Sequence, residues 1–148
     1  MAGFEQKTVT VGGARIQYLI GGSGSALLWL HGSEGNLGWL RLHDELARSF
    51  TVFVPTHPGF AGSERPEWLE SFLDLARFYL WIVQELGVSR PTLAGHFIGG
   101  WLAAEIAVMS PQMVARMRRS WLVPSVKTRS QGRQRVWRRR WPGSLPTP

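Results

Sequence analysis

Thr92-Leu93-Ala94-Gly95-His96-Phe97-Ile98-Gly99-Gly100-Trp101-Leu102-Ala103-Ala104-Glu105 reads as a short apolar strand, a tight turn flanked by glycines, and an alanine-rich helix. The frame Gly95-His96-x-Ile98-Gly99 sets one residue, Phe97, at the tip of the strand-to-helix turn. A phenyl ring has no lone pair to attack a carbonyl and no proton to yield to a base. Whatever the turn was shaped to present, the side chain it presents is chemically inert. The helix that follows spans residues 99–109 and is stopped by Ser110-Pro111.

Moving back from this stretch, strands and helices alternate. Residues 66–86 form a helix with Leu69, Phe72, Leu73, Ala76, Leu80, Val83 and Leu86 on one stripe. Pro66 sits in the first turn and Gly87 at the stop. Before it lie the glycine-punctuated loop His57-Pro58-Gly59-Phe60-Ala61-Gly62-Ser63, a strand over residues 51–55 and a helix over residues 37–50. Ser25-Ala26-Leu27-Leu28-Trp29-Leu30 is an uninterrupted apolar run, expected of a strand buried on both faces of a parallel sheet. It opens into His31-Gly32-Ser33-Glu34-Gly35-Asn36. The chain begins with two strands, residues 7–11 and 15–20, joined by the hairpin turn Gly12-Gly13. The order ββ, then β-α-β-α-β-α, implies an α/β fold with a parallel sheet and a crevice at the strands' carboxyl ends. Three loops fall at that edge: residues 31–36, 57–63 and 95–99.

Composition narrows the chemistry. Without cysteine, disulfides and thiolate catalysis are excluded. No window reaches the run of about 18 apolar residues that spans a bilayer. The first residues lack the apolar core of a signal peptide. These features suggest a soluble, cytoplasmic protein. The net charge of +7 is not evenly spread. Residues 1–115 carry seven basic and ten acidic side chains, a net of −3, whereas residues 116–148 carry ten basic and none acidic. We therefore divide the chain into residues 1–115, one folded domain, and residues 116–148, an irregular basic tail rich in Arg and Trp.

The three loops together resemble the N-terminal half of the α/β-hydrolase family. The likeness rests on His31-Gly32-x-x-Gly35, Pro58-Gly59-Phe60-x-Gly62-Ser63 and Gly95-His96-x-Ile98-Gly99-Gly100, each following a predicted strand. The last is the nucleophile elbow, G-x-S-x-G, with Phe97 in the serine's place. The resemblance implies an ester-like small-molecule substrate and no metal or organic cofactor. It gives the backbone N–H groups of Ser33 and Ile98 the role of oxyanion hole. His31, Gly32, Gly35, Gly95, His96 and Gly99 then form the scaffold of the motifs.

Three departures accompany the likeness. The Phe97 ring is expected to occupy space meant for substrate. The family's acid and histidine follow the nucleophile, yet no Asp or Glu follows Glu105 and no His follows His96. Where the family continues into a sixth strand, the text is Met113-Val114-Ala115-Arg116-Met117-Arg118-Arg119. A buried strand does not tolerate such arginines unpaired. A shifted reading frame near residues 115–120 would produce this break, leaving the fifth strand as an unpaired edge and the fold poorly stable alone.

Rival readings are weaker. His31, His57 and His96 share one sheet edge with Glu34, which invites a metal, but their spacing matches no metal motif. Arg133, Arg135 and Arg138–Arg140 with Trp137 and Trp141 could hold polyanions or an anionic membrane surface. Binding of that kind is expected to be non-specific, with no particular nucleic acid as partner. A ligand-binding pseudo-hydrolase is the remaining alternative.

Overall fold

The computed structural model describes residues 3–119, and within them the chain forms one six-stranded mixed sheet flanked by three helices. β1 (Phe4–Val11) and β2 (Ala14–Gly21) are an antiparallel hairpin, with Val11 opposite Ala14. Gly12 and Gly13 both take positive φ, the requirement of the tight turn whose twist matches the strands it joins. β3 (Ser25–Leu30), β4 (Phe50–Pro55), β5 (Thr92–Gly95) and β6 (Arg116–Arg119) complete the sheet in the order β1-β2-β4-β3-β5-β6. β2 meets β4 antiparallel; β4, β3, β5 and β6 run parallel. The carboxyl ends of β3, β4 and β5 thus open onto the three glycine-rich loops.

Side-chain alternation sorts the strands into two layers. Leu28, Leu30, Phe53 and Leu93 face one way and pack with helix α2 (Phe72–Glu85) and helix α3 (Ile98–Met109) in a core that includes Leu75, Phe78, Tyr79, Ile82, Leu102 and Ile106. Leu27, Trp29, Val52, Val54 and Ala94 face the other way. They form a smaller cluster with Ala47, against which Trp39 and Leu46 pack.

Three elements differ from expectation. The helix predicted over residues 37–50 is only Arg41–Leu46, here α1. Gly38 has a φ of +85° and its N–H donates to the Asn36 side chain, so the chain turns before the helix can start. α2 begins at Phe72, not Pro66. Ser71 and Asp74 bond reciprocally: the Ser71 hydroxyl accepts from the Asp74 N–H at 3.1 Å, and the Asp74 carboxylate accepts from the Ser71 N–H at 2.9 Å. That capping box is a stronger start than a proline. The Ser71 hydroxyl also donates to the Asp74 carboxylate at 2.7 Å, and this bond above all holds the Asp74 carboxyl below the usual carboxylate range.

The third difference is β6. Residues 116–119, expected to be irregular, pair in parallel with β5 from Thr92↔Arg116 to Gly95↔Arg119, and the Ala115 N–H donates to the Pro91 carbonyl at 3.1 Å. A ladder is made by backbone groups and does not depend on apolar side chains. β5 is consequently an interior strand and not an exposed edge. The proposed polyanion contacts at residues 133–141 lie outside the described residues. Among those described, no helix is long and apolar enough to cross a membrane.

Candidate active site at the carboxyl edge of the sheet

The elbow is built from close backbone contact. A Cβ on Gly99 would stand 2.0 Å from the Leu30 carbonyl oxygen, and one on Gly95 would stand 2.3 Å from the Gly99 backbone. Only glycine fits at either place. The His96 N–H donates to the Leu30 carbonyl at 3.0 Å, tying the turn to the end of β3. Between them Phe97, at the N-cap of α3, adopts φ 50° and ψ −113°. A bulky residue holds such a conformation at a cost of about 1–3 kcal/mol. Its ring is 60% exposed and meets the His96 ring edge-on, centroids 4.4 Å apart. Phe97 is not among the residues that line the cavity of about 240 Å³ beside the elbow.

Ile98 opens α3, so its N–H belongs to the helical turn that lacks intrahelical acceptors. Ser33, half-buried, lies inside the turn closed by the hydrogen bond from the Gly35 N–H to the Gly32 carbonyl at 3.2 Å. Gly35 there takes a φ of +93°.

The four histidines divide into two kinds. His31 and His57 stack with ring centroids 3.6 Å apart, and both are buried. His31 donates from Nδ1 to the Gly32 carbonyl at 2.8 Å and accepts at Nε2 from the His57 backbone N–H at 2.9 Å. His57 donates from Nε2 to the His31 carbonyl at 2.8 Å, leaving Nδ1 to accept from the Tyr79 hydroxyl. Every ring nitrogen is committed, which requires both rings to be neutral. Burial pushes His31 down to about 4; burial and then the neighbouring His31 push His57 well below its ordinary value. Burial likewise raises the Tyr79 hydroxyl. This pair is a structural brace, unfit to exchange protons at neutral pH.

His96 and His43 are different. His96 pairs through Nδ1 with the Glu34 carboxylate at 2.8 Å, a contact across 62 residues that joins the loop after β3 to the elbow. His43, on α1, is buried with Nδ1 accepting from the Leu40 N–H at 3.0 Å, and its Nε2 has no hydrogen-bond partner. Leaving such a group unmet costs about 1–3 kcal/mol. Both histidines line a cavity of about 240 Å³, together with Trp29, Glu34, Leu37 and Val54. The sequence brings His31, His57, His96 and Glu34 to one sheet edge but does not show that His31 pairs with His57 and Glu34 with His96, and nothing in it marks His43 or Tyr79. No group of three or more His, Asp or Glu gathers to hold a metal among the described residues.

Comparison with known proteins places this geometry. The chain is 38% identical over 104 residues to a fluoroacetate dehalogenase of Burkholderia sp, covering 66% of this chain and 34% of that protein. It is 32% identical over 91 residues to a soluble epoxide hydrolase of Corynebacterium sp. (strain C12), covering 61% of this chain and 32% of the relative. The structure of Cfl2 from Burkholderia cenocepacia superposes with a TM-score of 0.73 at 26% identity, over 91% of this chain and 49% of that one. The epoxide hydrolase CorEH does so at 0.68 with 27% identity, over 79% and 42%. The chain therefore spans about a third of the curated relatives named and under half of the solved ones. The alpha/beta hydrolase fold model matches residues 25–118. That match covers more than half of the 148 residues, and the chain belongs to the alpha/beta hydrolase fold family.

Proposed function

We propose that this chain carries the elbow and oxyanion half of a hydrolytic site for esters or related bonds, and that it does not itself turn such substrates over. In a working site, a serine at position 97 would attack the acyl carbon. The N–H groups of Ser33 and Ile98 would hold the negative oxygen, and water would clear the acyl-enzyme. One such oxyanion donor is worth about 10²–10³ in rate. The observation that carries the reading is Phe97 in the strained N-cap position, where a nucleophile would stand. His31 and His57 do not replace a missing base, because each ring nitrogen is already bonded. Within the 148 residues, nothing after His96 supplies an imidazole.

The test uses the full chain with p-nitrophenyl acetate and a fluorophosphonate probe. Neither turnover nor a covalent adduct is expected, and Phe97→Ser alone stays silent. Fluorophosphonate-sensitive ester turnover by either protein would overturn the reading.

The cavity of about 240 Å³ beside the elbow favours a second role, ligand binding without turnover. The relatives act on an organofluorine acid and on epoxides, as their names state. By likeness, the ligands are small organic molecules.

A further inference from the structure

Exposed large apolar side chains gather at the carboxyl edge of the sheet. Leu37, Leu40 and Leu42 lie in the loop after β3 and the first turn of α1. Phe97 stands at the elbow after β5, and Trp101 and Leu73 in the first turns of α3 and α2. Each is at least 39% exposed. Trp101 stacks on Phe72, ring centroids 4.3 Å apart, which brings the starts of α2 and α3 together. The three leucines line one cavity with His96, the neighbour of Phe97. A concentration of exposed apolar groups in one region marks an interaction surface.

Charge says what covers it. β6 runs parallel to β5 with Arg119 opposite Gly95, so the chain leaves the sheet at this same edge. Residues 120–148 then carry seven basic side chains and no acidic one, together with Trp121, Trp137 and Trp141. In the folded part, Arg41 is exposed between Leu40 and Leu42 and has no ion pair among the described residues. The nearby acids Glu34 and Asp44 are engaged, by His96 at 2.8 Å and by the Trp39 indole N–H at 2.9 Å. Glu67 and Glu70, before α2, oppose an anion locally but are outnumbered. Apolar side chains flanked by arginine and tryptophan suit the boundary between acyl chains and anionic headgroups. A second copy would set one basic segment against another, and a nucleic acid offers the exposed leucines nothing to enter.

We propose that the carboxyl edge docks on an anionic phospholipid surface. Leu37, Leu40, Leu42 and Phe97 enter the acyl boundary, while Arg41 and the basic side chains of residues 120–148 meet the headgroup phosphates. Docked in this way, the cavity beside the elbow faces the lipid.

The chain has no cysteine, so one introduced thiol carries a single environment-sensitive dye. Leu37→Cys reports on the proposed edge, and Ser89→Cys, before β5, on the opposite one. The full chain is floated with vesicles of phosphatidylcholine alone or with about 30% phosphatidylglycerol, at about 0.15 M salt. Binding to the anionic vesicles should be about tenfold tighter or more. The dye at position 37 should brighten and shift to the blue, and the dye at position 89 should not. Leu37→Ser/Leu42→Ser should weaken binding about tenfold. No flotation with the anionic vesicles overturns the proposal. So does flotation that leaves the dye at position 37 silent or Leu37→Ser/Leu42→Ser unaffected, since the basic segment then acts alone. A response at position 37 to protein concentration without lipid makes a second copy the occupant and overturns it too.

Discussion

The two faces of the sheet are covered in unlike ways. On one, α2 and α3 cover the sheet and bury a continuous core that reaches from Val11 and Ile16 of the hairpin through Leu28 and Leu93 to Ile106. On the other, the six-residue α1 and Trp39 pack on a smaller cluster around Leu27, Trp29 and Val54. The histidines follow the same division. His57 reaches the Tyr79 hydroxyl of α2 and has all its hydrogen bonds made, whereas His43 on α1 keeps an unmatched donor beside a cavity. A well-filled layer leaves its polar groups no choice of partner. A thinly covered one leaves a donor that the fold itself does not match.

The largest effect is expected where the elbow joins both faces. Gly99→Ala drives a methyl group into the Leu30 carbonyl and should cost about 4 kcal/mol or more. A cooperative thermal melt retained near the wild-type midpoint would contradict the close contact. Next comes the contrast between the layers themselves. Leu75→Ala in the α2 core should destabilise by about 4 kcal/mol, and Leu27→Ala on the α1 face by about 2, because the thin layer can collapse around the gap. Urea unfolding of the two variants measures this, and equal losses would erase the distinction.

Acid is the third probe. His31 and His43 are held at about 4 in the folded chain against about 6.5 unfolded, so between those values the unfolded chain binds more protons. Their contribution is complete above about pH 6.5 and is lost as the pH falls toward 4, by about 1.4 kcal/mol per unit for each ring. His43→Phe should make that acid limb shallower, and urea midpoints at pH 7 and pH 5 measure it. The smallest effect is a gain. Phe97→Gly relieves the positive φ while losing little packing from a mostly exposed ring, and should stabilise by about 1 kcal/mol. Calorimetry of that variant sharpens how much strain the elbow stores.

Much of this was legible in the residues. The apolar run from Ala26 to Leu30 marks a central strand, and the structure has β3 over Ser25–Leu30. Gly95 and Gly99 announce a tight turn, which the backbone overlaps explain. Three features were not legible. α1 is short because Gly38 and Asn36 shape a turn that helical periodicity does not register. β6 pairs through backbone groups that carry no sequence signature. The Glu34–His96 contact spans 62 residues, and no local pattern reports it.

The sequence by itself therefore determined the α/β architecture, the order of the motifs and the inert side chain at position 97, since each depends on local periodicity or residue chemistry. Which histidines are sealed and which stay open was decided only by the tertiary structure. A ring nitrogen's role depends on the partner that folding brings to it, and here the partners of His57 and His96 come from distant stretches of chain.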